Sequence, residues 1–178
     1  AQSKDLIAWE ELPIALEPGE GDEWDDLALW TGSVIKKDGL YYMLYTGRSK
    51  REKEKYIQKI GLATSDDLLT WNKHKENPIL EADADFYQTD FTKNELGIIG
   101  TWRDPHVFFD ESSKKYYATI SARDKKYHSS FNGCIALASS QNLTDWEIQP
   151  PILSHRMFNE METTQVIQHD NLYYLFFS

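Results

Sequence analysis

Ala138-Ser139-Ser140-Gln141-Asn142-Leu143-Thr144-Asp145-Trp146 repeats the pattern of Ala63-Thr64-Ser65-Asp66-Asp67-Leu68-Leu69-Thr70-Trp71. The chain also opens inside this pattern, at Ser3-Lys4-Asp5-Leu6-Ile7-Ala8-Trp9. Self-similarity over some tens of residues is the mark of a repeat architecture. Working outward, a paired-tyrosine run precedes the first two copies, as Leu40-Tyr41-Tyr42-Met43-Leu44-Tyr45 and Lys115-Tyr116-Tyr117-Ala118-Thr119-Ile120. It occurs again near the end as Leu172-Tyr173-Tyr174-Leu175-Phe176-Phe177. After each Trp comes a Pro-containing stretch: Pro13 to Leu16, Pro78 to Leu80 and Pro151 to Leu153.

These runs are short, rich in β-branched and aromatic residues, and bounded by Gly, Asp, Asn and Ser, so they read as strands. Lys37-Asp38-Gly39 and His169-Asp170-Asn171 read as tight hairpin turns. No stretch shows sustained helical periodicity. One unit therefore holds an inner strand, the Tyr-Tyr strand, the Ala-x-Ser strand and the Trp strand, and such sheets in tandem build a β-propeller. The fold expected is all-β: a partial β-propeller of four-stranded antiparallel blades, with two complete blades plus parts of two others. Residues 1–178 form one partial domain, with 1–16 the end of a blade, 28–80 and 101–153 full blades, and 162–178 the start of another. A β-sandwich is the competing architecture, and the fixed order of markers argues against it. Propellers have about four to eight blades, so the chain is expected to be truncated, with strand edges left open.

The inner strands begin with different polar groups: Ala28-Leu29-Trp30-Thr31-Gly32-Ser33-Val34-Ile35, Trp102-Arg103-Asp104-Pro105-His106-Val107, and Glu162-Thr163-Thr164-Gln165-Val166-Ile167. Strands of one repeat headed by different polar residues imply several walls converging on one pocket.

Composition narrows the ligand. The 178 residues carry 29 acidic against 19 basic side chains, a net charge of −10. Nucleic-acid phosphates attract basic surfaces, so no nucleic-acid partner is expected. A neutral ligand suits this balance, and six Trp with ten Tyr offer flat faces for sugar rings. No apolar stretch is long enough to span a membrane. Ala1 to Lys4 are polar and show no signal peptide, which leaves cytoplasmic and secreted locations equally open. Cys134, on an apolar strand, reads as a small core residue. Asn142-Leu143-Thr144 matches the glycosylation pattern, one that arises often by chance. The mixed-sign run Lys50 to Lys55 reads as a solvated loop. Five scattered His residues lack ligand spacing, and Asp83, Asp85 and Asp90 read as a plain acidic loop before a calcium site. Neither metal nor cofactor is expected.

Two carboxylates stand out. Asp104 has Arg103 on one side and Pro105, which fixes the local backbone, on the other. An arginine neighbour favours the ionised form of a carboxylate, able to stabilise positive charge or accept sugar hydroxyls. Glu162 takes the corresponding place one unit later, in Phe158-Asn159-Glu160-Met161-Glu162, where apolar surroundings suit a general acid. Two carboxylates of opposed character are what glycoside hydrolysis requires. Structural alternatives stand beside each role: Asp104 as a turn cap, Glu162 as a surface carboxylate with Glu160 its rival, and Trp30 and Trp102 as core packing.

On Trp30-Thr31-Gly32-Ser33, Trp102-Arg103-Asp104-Pro105, and Glu162 followed by Gln165-Val166 and the Tyr-Tyr-Leu-Phe-Phe-Ser strand, the chain resembles the five-bladed catalytic propeller of glycoside hydrolase family 32, with the related family 43 close behind. Asp5-Leu6-Ile7-Ala8-Trp9-Glu10-Glu11-Leu12-Pro13 is similar to the outer strand that closes that family's first blade. The resemblance implies removal of terminal fructose or pentose units, retaining in family 32 and inverting in family 43. It makes Asp104 the transition-state stabiliser, Arg103 its orienting partner and a sugar contact, and Glu162 the general acid. Trp30, Ser33 and Trp102 would line the sugar pocket. The family's usual Cys-Pro after the acid is replaced by Thr163-Thr164, and its nucleophile, an Asp of the first inner strand, has no counterpart, since Asp25 and Asp26 follow Trp24 in a linker. The function expected is that of a glycosidase fragment acting on terminal fructosyl or pentosyl residues of oligosaccharides, inactive alone. The alternatives are a non-catalytic carbohydrate-binding propeller and an interaction propeller without sugar. A homo-oligomer covering the exposed blade edges is the partner expected besides the sugar.

Overall fold

Asp38 and Gly39 both take positive φ, of 50° and 88°, as do Asp170 and Asn171 at 49° and 61°. Two consecutive residues of this kind make the turn whose twist matches a right-handed hairpin. The first turn joins β1 (Ala28–Lys37) to β2 (Leu40–Arg48), and the second joins β9 (Gln165–His169) to β10 (Leu172–Phe176). The computed structural model describes residues 1–51, 58–89, 101–127 and 130–178. Residues 52–55 of the charged run, and Asp90, lie outside the described residues.

The first sheet continues from β2 to β3 (Gln58–Ser65) and a two-residue β4 (Asn72–Lys73), all antiparallel. Its outer strand is interrupted, and the side chain of Asn77 takes the place of the missing backbone. Asn77 Oδ1 accepts from the Leu62 amide at 2.8 Å while its Nδ2 donates to the Leu62 carbonyl at 2.9 Å. Pairing resumes between Ile60 and Leu80. The second sheet runs β5 (Trp102–Asp110), β6 (Lys115–Arg123), β7 (Gly133–Ser140) and β8 (Trp146–Ser154) in that order. The third contains β9 and β10.

The repeated Ser-to-Trp stretch is one turn built three times. Ser3, Ser65 and Ser140 each accept, through Oγ, the amide three residues on, at 2.9 Å. Asp5, Asp67 and Asn142 each accept the amides two and three residues on, at 2.8–3.0 Å. Trp9, Trp71 and Trp146 then donate Nε1 to the carbonyls of Leu6, Leu68 and Leu143. Those three leucines have φ of 64–74°, a conformation costing about 1–2 kcal/mol that the side-chain caps offset. Asn142 of the glycosylation pattern has its own Nδ2 bonded to Asp145.

β5 packs against β1, β2 and β3 on one side and reaches β9 on the other. The core fills the seam between the first two sheets: Leu44, Ile60, Leu62 and Leu80 from one, and Val107, Ala118, Ile120 and Ala136 from the other. Cys134 is wholly buried there, and burial pushes its thiol pKa up, away from nucleophilic use. Among the described residues there is no helix. Sequential four-stranded antiparallel sheets whose first strands meet side by side make this an all-β, partial β-propeller.

Candidate functional site

Both β1 and β5 are bulged at their heads, and one hydroxyl joins the bulges. On β5, Arg103 pairs with Ser121 and His106 with Thr119, so Asp104-Pro105 holds one residue more than its partner strand. Pro105 has no amide to give the ladder, and Asp104 takes φ 55°, which Asp tolerates better than most residues. The Asp104 amide donates to Thr46 Oγ1 at 3.1 Å, and that hydroxyl donates to the Thr31 carbonyl at 3.0 Å. Thr31 is the extra residue of β1, between Trp30, which pairs with Thr46, and Gly32, which pairs with Tyr45. Gly32 is required at this approach, because a Cβ there would stand 2.2 Å from the Leu44 carbonyl oxygen. Thr46 itself is completely buried.

The carboxylates gather on Arg103. Its Nε and Nη2 both donate to Glu162 Oε1, at 2.9 and 2.6 Å, and Nη2 also meets Glu160 Oε2. Its Nε lies 3.9 Å from Asp104 Oδ2. That same oxygen accepts the Thr163 amide at 3.3 Å. Asp104 is 6% exposed, whereas the Glu162 side chain is 41% exposed, so the deeper carboxylate is fixed and the outer one reaches solvent. Glu162 is anchored through its backbone, which exchanges two hydrogen bonds with Ser178 beyond β10. The Thr163-Thr164 pair serves this geometry: Thr163 takes φ 49° and turns its amide to Asp104, and Thr164 Oγ1 bonds Thr119 of β6 at 2.8 Å.

The remaining sequence-derived site residues divide. Trp30 is 41% exposed and the Arg48 guanidinium lies over its ring at 4.4 Å. Ser33 accepts the Val107 amide through Oγ at 2.8 Å, so its hydroxyl bridges β1 to β5. Trp102 is only 2% exposed; its Nε1 donates to the Leu80 carbonyl and its ring tilts against Tyr87. It belongs to the seam between sheets and offers no open face, which corrects its reading as a sugar platform. Asp25 and Asp26 lie in the connection ahead of β1 but are buried: Asp25 Oδ2 accepts Lys73 Nζ at 2.6 Å and the Tyr45 hydroxyl at 3.1 Å, and Asp26 Oδ1 accepts the Lys50 amide at 2.7 Å. Burial and the Asp25 carboxylate push the Tyr45 phenol up in turn.

Three participants escape sequence reasoning: Thr46, Thr101 and Arg123. Thr101 Oγ1 donates to Glu160 Oε1 at 2.9 Å, and Arg123 Nη2 donates to the same oxygen at 3.1 Å. The signal for Arg123 was a charged residue ending the otherwise uncharged run Tyr116 to Ala122. Among the described residues, no group of three or more His, Cys, Asp or Glu side chains is placed to hold a metal ion.

Known proteins share this arrangement of strands. The family model described as "Glycosyl hydrolases family 32 N-terminal domain" matches residues 1–177. A bifunctional 6(G)-fructosyltransferase/2,1-fructan:2,1-fructan 1-fructosyltransferase of Allium cepa is 30% identical over 162 residues, covering 86% of this chain and 23% of the relative. A sucrose-6-phosphate hydrolase of Zymomonas mobilis is 30% identical over 150 residues, covering 82% and 26%. A Bombyx mori family 32 β-fructofuranosidase superposes with a TM-score of 0.75 at 23% identity, covering 98% of this chain and 33% of that one. The chain thus spans about a quarter of the length of these curated relatives. With the match running essentially end to end, the chain belongs to glycosyl hydrolase family 32.

Proposed function

We propose that this chain carries the stabiliser-and-acid half of a site for a terminal fructosyl unit of an oligosaccharide. The observation that carries the reading is the Arg103 guanidinium, which holds Glu162 while lying beside Asp104, so that both carboxylates sit at the meeting of the inner strands. Asp104, buried and fixed by the Thr163 amide, faces the positive charge that develops at the anomeric carbon and accepts sugar hydroxyls. Glu162, the more exposed carboxyl, has Oε1 held by Arg103 and protonates the leaving oxygen from Oε2. Trp30, 41% exposed with Arg48 over one face of its ring, offers the other face to a sugar. The fructosyl transfer named for the Allium relative and the sucrose-6-phosphate named for the Zymomonas one favour this sugar over a pentose.

The resemblance to family 32 supplies no counterpart of its nucleophile, and Asp25 and Asp26 are both committed to the first sheet. A retaining reaction needs a covalent partner for the sugar. The 178 residues by themselves therefore bind sugar without turning it over, which makes a carbohydrate-binding module the second reading. Calorimetric titration with fructose and sucrose, together with hydrolysis of an activated fructoside, tests both. Binding without release of the leaving group is the expected result. Turnover would reveal a nucleophile and overturn the inactive reading, and absence of binding to either sugar would overturn the site.

The open side of the third sheet points to self-association. Leu172, Tyr174 and Phe176 on β10 are exposed, as are Leu6, Ile7 and Trp9 in the opening turn. A second copy covering these surfaces would remove an unpaired strand edge. Light scattering is expected to read a mass of at least two chains; a monomer at all concentrations discards the homo-oligomer.

A further inference from the structure

We propose that Glu160 is a positioning residue for the site, holding Arg103 in the one orientation that places Glu162 beside Asp104. The proposal rests on the reading of Asp104 and Glu162 as the sugar-facing pair.

Glu160 is held from both sides. Oε1 accepts two donors, Thr101 Oγ1 at 2.9 Å and Arg123 Nη2 at 3.1 Å, while Oε2 meets Arg103 Nη2. Its side chain is 16% exposed, so the pairs work in a partly dry environment. Arg123 behind it is 1% exposed and is itself fixed by Asn132 Oδ1 at 2.7 Å and Asn159 Oδ1 at 3.2 Å. The backbone that carries Glu160 lies directly on β7. The Gly133 amide donates to the Phe158 carbonyl, and a Cβ on Gly133 would stand 2.6 Å from the Asn159 carbonyl oxygen. Glu160 is thus a rigid carboxylate, set by β5, β6 and β7.

Arg103 has the opposite need. Its guanidinium must serve Glu162, whose side chain is 41% exposed and holds the arginine through a single oxygen. Two bonds to Glu162 leave the fork free to swing about that partner. Nη1 adds only longer bonds, to Thr101 Oγ1 at 3.3 Å and Gln58 Oε1 at 3.5 Å, so the charged contact to Glu160 is the one that fixes the plane and keeps Nε within 3.9 Å of Asp104 Oδ2. A guanidinium gripped at several of its donors loses its rotational freedom. The order of dependence runs from Arg123 to Glu160 to Arg103 to Glu162, from buried to exposed.

Glu160→Gln separates the two sides of the clamp. The amide oxygen suits the side where Thr101 and Arg123 both donate, which turns the amide NH2 toward Arg103 Nη2, donor against donor. Arg123 keeps its partner, while Arg103 loses its charged contact to Glu160 and keeps only Glu162 and the longer bonds of Nη1. The readout is hydrogen exchange of the Arg103 Nε–H in nitrogen-15 NMR of the purified chain, which needs no bound sugar and no turnover. The expected result is a slowly exchanging signal in the wild type whose exchange quickens at least tenfold in Glu160→Gln. Glu160→Asp, which keeps the charge but shortens the reach, should restore part of the protection. Fructose affinity, by calorimetry, should fall roughly tenfold in Glu160→Gln. An Arg103 signal unchanged by the substitution, or one that already exchanges in the wild type as fast as an exposed arginine, overturns the proposal. Wild-type protein that binds no fructose yet shows the exchange effect would reject the sugar reading and leave the clamp standing.

Discussion

Arg123→Leu is expected to destabilise the chain by about 3–5 kcal/mol, the range for breaking a buried charge pair by removing one partner. Arg123 is 1% exposed, so nothing from solvent replaces it. Its removal leaves the Glu160 oxygen with Thr101 alone and strands Asn132 Oδ1 and Asn159 Oδ1, which it also bonds. Burial alone disfavours the charged guanidinium and lowers its pKa, and the Glu160 carboxylate opposes that effect. The pair is therefore held together by mutual need. For a chain of this length, each kcal/mol moves the melting temperature by roughly 2–4 °C, so calorimetry should show a drop of about 10 °C. Arg123→Leu combined with Glu160→Gln should cost less than the two single changes added, because both remove the same Arg123–Glu160 charge pair. A single variant that melts with the wild type would mean that Arg123 carries no such burden.

How much of this was legible follows from the range of each interaction. The repeat could be read because its turns are capped locally: a serine, an aspartate or asparagine and a tryptophan bond amides and carbonyls within three residues. The hairpins at Asp38-Gly39 and Asp170-Asn171 were legible for the same reason. The short β4 was not, since Asn77 completes the ladder from fifteen residues away along the chain. Asp104 and Glu162 could be named from their places at strand heads. Their bulged setting could not, because it depends on Thr46 and Thr31 of another sheet. Trp102 shows the limit most plainly. An aromatic at a strand head has the same sequence signature as a sugar platform or as core, and Tyr87 and Leu80 decide between them by covering it. The burial of Asp25 and Asp26 was not legible because their partners, Tyr45, Lys50 and Lys73, lie 20 or more residues downstream.

Asp104→Asn is expected to weaken fructose binding by roughly ten- to a hundredfold while leaving the fold nearly as stable as before. The substitution keeps shape, and it keeps an oxygen that can accept the Thr163 amide. It also keeps tolerance for φ 55°, where asparagine is as much at home as aspartate. Only the charge is lost. Hydrogen bonds to charged groups contribute about 1.5–3 kcal/mol, and each 1.4 kcal/mol is a factor of ten in affinity. Asp104→Ala tests the other role, since alanine strains the bulge by about 1–2 kcal/mol and gives up the bond to Thr163. If Asp104 merely shapes the turn, asparagine will bind sugar as the wild type does and only alanine will lower the melting temperature. If Asp104 faces the sugar, asparagine will lose affinity at an almost unchanged melting temperature. Titration and thermal melting of these two variants side by side therefore assign the role, because binding follows the charge whereas stability follows the backbone that the residue must adopt.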